Sequence, residues 1–340
     1  MRGRPVPLVT VCVPTTGRSA TLLHETIQSI RRQEFADYEV LILDNATPPD
    51  ARAAVAEYAA ADRRVQVLGT TRRIEMFDNF QRGLDVASGQ YVAFFHDDDV
   101  YGPRFLSDHV QLLDTNASVA FSGSNCAVID EEGRPIADRS LIRNDAVWHG
   151  WRYIEAVFDL GNNIFPMQSC MFRRDVLPPR MFASANSVHY TDFFMLMRLA
   201  EEHDVGLISG RIMKMRSHAE QASRQLAIDE SLDLRTDLFY GYCDELLKRW
   251  PDRSEEISGL RRRVGRARRS AALWMWILAM DDRQANESRV ALAKSGTNRW
   301  LRFAMALGDR VGVWRAIVRQ VSVQRRLRAA AYAVVARGHR

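Results

Sequence analysis

Three adjacent aspartates, Asp97, Asp98 and Asp99, directly follow an apolar run at residues 91–95. Crowded carboxylates repel one another, and a divalent cation removes that cost while bridging to phosphate oxygens, as Mg²⁺ usually does. The alternative is a solvated turn in which Asp99 caps a helix that begins near Pro103. A bare acidic triplet favours the turn, but a position at the end of a buried strand, beside two more polar loops, favours a metal site.

Those two loops also end apolar runs. Thr15-Thr16-Gly17-Arg18 comes after residues 8–13, and Asp44-Asn45 comes after residues 38–43. The Asp44 carboxylate has two interpretations that the residues alone do not separate. It accepts hydrogen bonds from a nucleoside base or ribose, or it forms an Asx-turn within its own loop.

Four further side chains are candidates of lower specificity. Asp192 begins a helical pattern, so it is either an N-cap or a general base that must reach a hydroxyl proton. His218 follows an apparent strand, and a lone histidine is more often structural than a metal ligand. Arg72 and Arg73 either hold a diphosphate or lie in solvent, and solvent is favoured for at least one of them.

The spacing of apolar residues predicts how these side chains are positioned. Short continuous apolar runs alternate with helical patterns, which is typical of right-handed βαβ units with a parallel sheet. Ligands bind outside the carboxyl ends of the strands in such sheets, where all three polar loops lie. The predicted strands are residues 8–13, 38–43, 65–68 and 91–95, and the predicted helices are residues 22–30, 51–61 and 74–87.

The pattern changes after Asp99. Residues 119–138 predict antiparallel hairpin strands with a turn at Glu131-Glu132-Gly133, and only helical periodicity is seen from about Ile228 onward. Between them the sequence predicts strands at residues 167–172, 205–208 and 211–215, a helix at 193–200 and, before the hairpin, a helix at 105–113.

Composition excludes several classes of protein. The 340 residues are 46% hydrophobic, which suffices for a core and argues against global disorder. The four cysteines have no C-x-x-C spacing, so buried reduced thiols are expected instead of a zinc site or disulfides. The longest apolar run, residues 271–280, is too short for a membrane span, so we expect a cytoplasmic protein, either soluble or peripheral to the membrane.

Charge is distributed unevenly along the chain. The net charge is +5, but residues 299–340 carry ten arginines and a single acid, Asp309, and the rest of the chain is therefore slightly acidic. An anionic membrane surface is one partner that suits such a basic helical segment, and solvent is the commonest alternative. No aromatic-interleaved RNA motif or DNA-reading helix is recognisable, so nucleic acid is not an expected partner.

Taken in order, these motifs resemble the family 2 glycosyltransferases with the GT-A fold. The resemblance is carried by residues 14–18, 39–45 and 87–91, by the aspartate triplet and by Pro103, and it covers roughly residues 6–220. It implies an α/β fold with a Rossmann-like mixed, mostly parallel sheet flanked by helices. A catalytic domain at residues 1–225 and a basic helical region at residues 226–340 are the expected organisation.

The resemblance also implies roles for individual residues. Thr15, Asp44 and Arg73 would line the nucleoside pocket, and Asp97 would contact the ribose. Asp98 and Asp99 would hold Mn²⁺ or Mg²⁺ against the diphosphate of a nucleotide-diphosphate sugar, with His218 as a further metal ligand. Asp192 would be the catalytic base, although Thr191 precedes it where the family often has a second acid. His96 stands where some relatives carry another acid.

The implied reaction is metal-dependent transfer of a sugar to an acceptor hydroxyl by single displacement with inversion. The acceptor would be a saccharide or a lipid-linked sugar, in the assembly of cell-surface polysaccharide or glycolipid. One alternative is a sugar-phosphate nucleotidyltransferase, which would typically show a glycine-rich phosphate loop with a basic residue near the first strand. Another is a non-catalytic, membrane-associated scaffold that retains the fold.

Overall fold

The computed structural model describes residues 6–182, 191–217 and 228–279. The strands within them are β1 (Val9–Thr15), β2 (Tyr38–Asp44), β3 (Val65–Gly69), β4 (Tyr91–Phe94), β5 (Val100–Tyr101), β6 (Val119–Ile129), β7 (Pro135–Arg139), β8 (Ala146–Trp148), β9 (Cys170–Arg173) and β10 (Asp204–Arg216). The helices are α1 (Ala20–Arg31), α2 (Pro49–Ala61), α3 (Met76–Val86), α4 (Phe105–Thr115), α5 (Gly150–Leu160), α6 (Thr191–Ala200), α7 (Ile228–Arg249) and α8 (Ser254–Ala279).

All the strands of the described residues belong to one mixed sheet. Its order is β3-β2-β1-β4-β9-β6-β10-β5, with β7 paired to β6 and β8 paired to β10. The first four strands in this order run parallel, and β6 and β10 are parallel to each other. Strand β9 is antiparallel to both of its neighbours, β4 and β6.

The parallel half follows from the βαβ pattern of the sequence. Strands β1, β2 and β4 are buried almost throughout, and α1 buries Leu23, Ile27 and Ile30. Each such side chain removed from water contributes about 1.5–3 kcal/mol, so the alternating strands and helices are held to the sheet chiefly by apolar burial. Helix α1 begins at Ser19, whose side chain accepts a hydrogen bond from Leu22 N at 3.3 Å, as an N-cap serine does.

Several predicted elements differ from the observed ones. Residues 167–169 form a short 3-10 turn ahead of β9, and the two strands predicted at 205–208 and 211–215 are one strand, β10, with irregular register against β6 between Ile208 and Met213. Helix α5 and strands β5 and β8 were not predicted. The two short strands were missed because two or three residues carry no periodicity.

The chain divides into two compact units, residues 1–154 with 164–221, and residues 155–163 with 222–340. In the second unit, Phe158 of α5 packs against Phe239 and Tyr242 of α7, with ring centroids 4.6 and 6.3 Å apart. Asp159 forms ion pairs with Arg263 and Arg266 of α8. Helices α7 and α8 agree with the predicted helical periodicity, and the basic segment 299–340 lies outside the described residues.

The four cysteines are free and buried, as expected. No helix in the described parts of the chain combines the length and apolar character needed to cross a membrane. The aspartate triplet lies in the connection between β4 and β5. We call residues 96–99 of this connection the acidic loop.

Candidate active site

The acidic loop is anchored by aromatic and polar contacts at both ends. The ring of Phe95 stacks on that of Tyr101 with centroids 3.5 Å apart, and the Tyr101 hydroxyl accepts a hydrogen bond from His96 N at 3.0 Å. From α1, the buried Thr26 hydroxyl donates to the Asp99 carbonyl oxygen at 2.8 Å. The loop is therefore held by the core of the fold, and its side chains are not those of a freely solvated turn.

Asp97 is held by the loop that follows β1. The Thr15 hydroxyl donates to Asp97 Oδ2 at 2.6 Å and accepts a hydrogen bond from Gly17 N at 2.9 Å. Gly17 has φ +64°, and a Cβ at this position would lie 2.1 Å from Thr47 Cγ2, so only glycine fits there. Burial raises the pKa of Asp97 to about 6, with the Thr15 hydrogen bond acting in the opposite direction.

Asp98 and Asp99 have contrasting surroundings. Asp98 Oδ2 lies 3.2 Å from Arg18 NH2 in a partly exposed ion pair. Asp99 is 1% exposed, and its Oδ1 accepts a hydrogen bond from Arg216 N at 2.8 Å, whereas its buried Oδ2 has no hydrogen-bond partner. Burial, and secondarily the charge of Asp98, raise the pKa of Asp99 well above its ordinary value, while Arg216 N and the side chain of Gln168 act in the opposite direction. A buried acceptor of this kind costs about 1–3 kcal/mol unless something binds to it.

His96 completes a cluster that the sequence did not assign. Its Nε2 is buried without a hydrogen-bond partner, and burial lowers the pKa of the ring, which favours the neutral form that binds metals. One ligand atom each from His96, Asp98 and Asp99 lie within 4.8 Å of one another. The cluster therefore offers two carboxylates and one imidazole, and two of its atoms, His96 Nε2 and Asp99 Oδ2, are buried without hydrogen-bond partners. Such a set of ligands fits a divalent cation such as Mn²⁺ or Mg²⁺.

Asp44 is hydrogen-bonded within its own loop, although its partner lies three residues on and not two as in an Asx-turn. Its Oδ1 accepts a hydrogen bond from Thr47 N at 2.7 Å, and its Oδ2 lies 3.6 Å from Arg52 Nε. The next residue, Asn45, donates to Ile74 O at 2.9 Å and accepts from Ile74 N at 2.8 Å. The exposed Arg73 is thereby held at the same edge of the sheet, directly before Ile74. Nucleoside binding by Asp44 and Arg73 remains a prediction.

Asp192 lies in the first turn of α6 and is half-buried. Its Oδ1 accepts a hydrogen bond from Phe193 N at 2.9 Å. Burial raises the pKa of Asp192 to about 6, and the charge of Arg139 on β7 opposes this shift. A carboxylate with a raised pKa and an apolar neighbourhood suits proton abstraction, because the best bases have pKa values near the working pH.

Electrostatic effects link Asp192 to the acidic loop through neighbouring side chains. Burial raises the pKa of Cys126 to about 11, and both Asp99 and Arg139 act on this thiol. Arg139 in turn acts on Asp192, which itself helps to raise the pKa of the Cys170 thiol. Asp192 and Asp99 thus share electrostatic neighbours on β6, β7 and β9, and a common site for the two carboxylates remains a prediction.

The described residues unite most of the predicted site. Thr15, Asp97, Asp98 and Asp99 form a connected network, Asp44 and Arg73 belong to loops at the same sheet edge, and His218 lies outside the described residues. Sequence reasoning missed His96 and Arg216 as parts of this network. An imidazole directly before the triplet and an arginine ending an apolar strand were the available signals.

Comparison with known proteins gives a consistent result. The family model described as "Glycosyl transferase family 2" matches residues 10–178. GalNAc(5)-diNAcBac-PP-undecaprenol beta-1,3-glucosyltransferase of Campylobacter jejuni is 33% identical over 129 residues, which are 38% of this chain and 40% of that enzyme. The chain covers 12% and 44% of two further curated relatives, so it spans less than half the length of these three proteins.

Two solved structures share the fold. Residues 1–349 of TarS from S. aureus, in complex with UDP-GlcNAc, align with a TM-score of 0.56 at 14% identity, over 70% of this chain and 66% of that one. The mannosyltransferase PcManGT from Pyrobaculum calidifontis, in complex with GDP-Man and Mn²⁺, aligns with a TM-score of 0.55 at 16% identity, over 96% and 86% of the two chains. The expected GT-A-type mixed sheet flanked by helices is confirmed.

Proposed function

Because the chain belongs to glycosyl transferase family 2 through residues 10–178, we propose that it is a glycosyltransferase that uses a nucleoside diphosphate sugar. It moves the sugar to an acceptor hydroxyl by a single displacement that inverts the anomeric configuration. The observation that carries the proposal is the cluster of His96, Asp98 and Asp99, in which buried ligand atoms lack partners at the carboxyl edge of a βαβ sheet.

A divalent cation at this cluster would be held by Asp98 and Asp99, with His96 as a further candidate ligand and His218 as the one implied by the sequence. When bound, such a cation neutralises charge on the departing diphosphate. The chain supplies a fixed carboxylate at Asp99, whose Oδ1 is held by Arg216 N. Two relatives in fold were crystallised with nucleotide sugars, one of them together with Mn²⁺, which supports the choice of donor and ion.

The donor's nucleoside would lie against the loops that follow β1, β2 and β3. Asp97 is oriented by the Thr15 hydroxyl and would accept a hydrogen bond from the ribose. Asp44 and Arg73 would border the base and the diphosphate, respectively. Asp44 already uses Oδ1 within its own loop, which leaves Oδ2, near Arg52, as the oxygen for a ligand.

Asp192 would remove the proton from the acceptor hydroxyl as that oxygen attacks the anomeric carbon. The pKa of about 6 keeps its carboxylate ionised at neutral pH and still basic enough to accept a proton. The bond from the anomeric carbon to the diphosphate breaks on the opposite face of the sugar as the new bond forms, and the proton stays on Asp192 until solvent removes it. A product with retained configuration, as read by NMR, would contradict the single displacement.

The acceptor class follows from the relatives and from charge. The name of the Campylobacter jejuni enzyme includes an undecaprenol-linked saccharide, which supports a saccharide or lipid-linked acceptor in polysaccharide or glycolipid assembly. The ten arginines of residues 299–340 suit an anionic membrane surface, consistent with a cytoplasmic protein bound at the inner face of the membrane.

A donor panel tests the proposal. Purified protein is incubated with UDP-, GDP- and dTDP-sugars and Mn²⁺, and nucleoside diphosphate release is measured with and without chelator. We expect slow hydrolysis of one donor that is lost with chelator and in Asp98→Ala. The matched control is Asp62→Ala, which also removes an aspartate paired with an arginine, Arg64, but away from the acidic loop. No release, combined with no metal-dependent thermal shift from any donor, would overturn the proposal.

A further inference from the structure

Arg216, the last residue of β10, is a buried arginine with an extensive set of partners. Its side chain is 1% exposed, and burial of a charged group is costly unless its donors are satisfied. Its Nε donates to Asp98 O at 2.9 Å, and NH1 donates to Asp130 O at 3.1 Å and to Glu131 O at 2.6 Å. NH2 forms an ion pair with Glu25 of α1. One guanidinium thus joins α1, the acidic loop and the β6–β7 turn.

The same residue contacts the acidic loop a second time through its backbone. Arg216 N donates to Asp99 Oδ1 at 2.8 Å, while the side chain holds the carbonyl oxygen of Asp98. These two contacts determine the direction of the Asp99 carboxylate and the path of the peptide that precedes it. Asp99 Oδ2 is the oxygen left buried without a hydrogen-bond partner, and one carboxylate oxygen of Asp99 belongs to the cluster with His96 and Asp98.

The charge distribution around Arg216 indicates that this residue acts by holding the shape of the acidic loop. Glu25 supplies a carboxylate directly to the guanidinium, so the positive charge of Arg216 is matched outside the aspartate triplet. The guanidinium contacts the triplet at the main-chain carbonyl of Asp98, so it holds the backbone of the acidic loop there. A planar fork with five donors meets this set of acceptors, whereas the ammonium of lysine offers three donors at one point.

We propose that Arg216 is a positioning residue that holds the acidic loop in the shape that binds a divalent cation. The proposal rests on the proposed function only in taking the loop as the cation site. It assigns no contact between Arg216 and the donor or the reacting atoms. Groups that orient metal ligands commonly change metal affinity by about 10–100-fold when they are removed.

The test is direct binding of Mn²⁺ to the full-length protein, by calorimetry or by the loss of the free-ion paramagnetic resonance signal. Arg216→Lys is expected to weaken Mn²⁺ binding by at least about tenfold while the protein remains folded by circular dichroism. The matched control is Arg173→Lys. Arg173 also donates to three main-chain carbonyls, those of Leu113, Asn116 and Val119, but at the opposite edge of the sheet. We expect this variant to bind Mn²⁺ as the wild type does.

A second variant covers the case in which Arg216→Lys does not fold. Glu25→Ala removes the half-exposed partner of the guanidinium and should weaken Mn²⁺ binding by severalfold. Wild-type Mn²⁺ affinity in every folded variant of Arg216 and Glu25 would overturn the proposal, as would absence of Mn²⁺ binding by the wild type. Mn²⁺ binding with neither nucleoside diphosphate release nor a metal-dependent thermal shift from any donor would instead contradict the proposed function and leave the role of Arg216 standing.

Discussion

The two ends of strands β1 and β4 carry polar networks of opposite character. At the amino end, Glu39 Oε1 accepts hydrogen bonds from the Thr10 hydroxyl at 2.8 Å, the Ser88 hydroxyl at 2.6 Å and Ser88 N at 3.1 Å. Gly89 N donates to the Thr10 hydroxyl at 2.9 Å, and a Cβ at Gly89 would lie 2.6 Å from Thr10 N. The donors of Thr10, Ser88 and Gly89 are thus all paired with acceptors of the same network.

At the carboxyl end the network is left open. Asp99 Oδ2 and His96 Nε2 are buried without partners, and burial raises the pKa of both Asp97 and Asp99. Buried polar groups are nearly always satisfied in folded proteins, so such exceptions have an explanation in function more often than in stability. The comparison indicates that the network at the amino end stabilises the fold, whereas the open network at the carboxyl end has unsatisfied atoms that suit our proposal of a ligand site there.

The largest expected effect concerns Asp192, the proposed base. Asp192→Asn should lower turnover by about 10²–10⁴-fold and spare Mn²⁺ and donor binding, because the amide cannot accept the proton. In the wild type, burial holds the pKa of Asp192 at about 6, so the rate should be flat above about pH 7 and fall as the pH drops below 6.

Among the described residues, the charged or titratable groups that interact with Asp192 include Arg139 on β7, the Cys170 thiol on β9 and the Tyr153 hydroxyl on α5. Burial raises the pKa of Cys170 and Tyr153 well above their ordinary values, so neither changes charge in this range. The measurement is the pH profile of kcat/KM in both proteins. Burial also raises the pKa of Asp97 to about 6, so an acidic limb alone does not identify the base, and it is wild-type turnover in Asp192→Asn that would assign the proton transfer to another group.

The next largest effect should come from neutralising Asp99 in the network at the carboxyl end of the strands. Asp99→Asn keeps an oxygen to accept the hydrogen bond from Arg216 N, but removes the negative charge that a cation needs. We expect turnover to fall by about 10²–10³-fold, since a bound metal contributes several kcal/mol and each 1.4 kcal/mol is tenfold. Without metal, the melting temperature should stay equal or rise, because a buried carboxylate has been neutralised. A clear loss of metal-free stability would contradict the comparison.

A smaller effect is expected in the network at the amino end of the strands, which is centred on Glu39. Glu39→Ala leaves the Thr10 and Ser88 donors without an acceptor and should lower the free energy of unfolding by about 1–3 kcal/mol. Mn²⁺ affinity should not change, and Glu39→Gln, which keeps an acceptor oxygen, should cost less. The measurements are denaturant unfolding and calorimetry. A loss of Mn²⁺ affinity in Glu39→Ala would mean that the two ends of the sheet are coupled.

The smallest effect should come from Arg18. Its ion pair with Asp98 at 3.2 Å is partly exposed, and such pairs contribute about 0–1 kcal/mol. A divalent cation competes with this pair for Asp98, so Arg18→Gln should tighten the binding of Mn²⁺ alone by at most about fivefold. Titration at low and high salt checks it, because the difference between the proteins should shrink as salt screens the pair. Weaker Mn²⁺ binding in Arg18→Gln would contradict this competition.

Sequence patterns predicted the elements that depend on residues close together in the chain, and missed those that depend on contacts between distant residues. The strands β1 to β4, the helices between them and the Glu131–Gly133 turn were predicted because apolar periodicity and turn residues act locally. The contact between Arg216 and the acidic loop joins residues more than a hundred positions apart, and no local pattern announces it. The short strands β5 and β8 exist only because β10 pairs with them.

The sequence by itself determined that three polar loops end three buried strands and therefore meet at one edge of the sheet, because parallel strands point their carboxyl ends the same way. Only the tertiary structure decided which atoms stay open there. Thr15 holds Asp97, Arg18 pairs with Asp98, and Arg216 holds one oxygen of Asp99. Which oxygen remains free for a ligand depends on packing among distant elements, and residue types along the chain do not encode it separately.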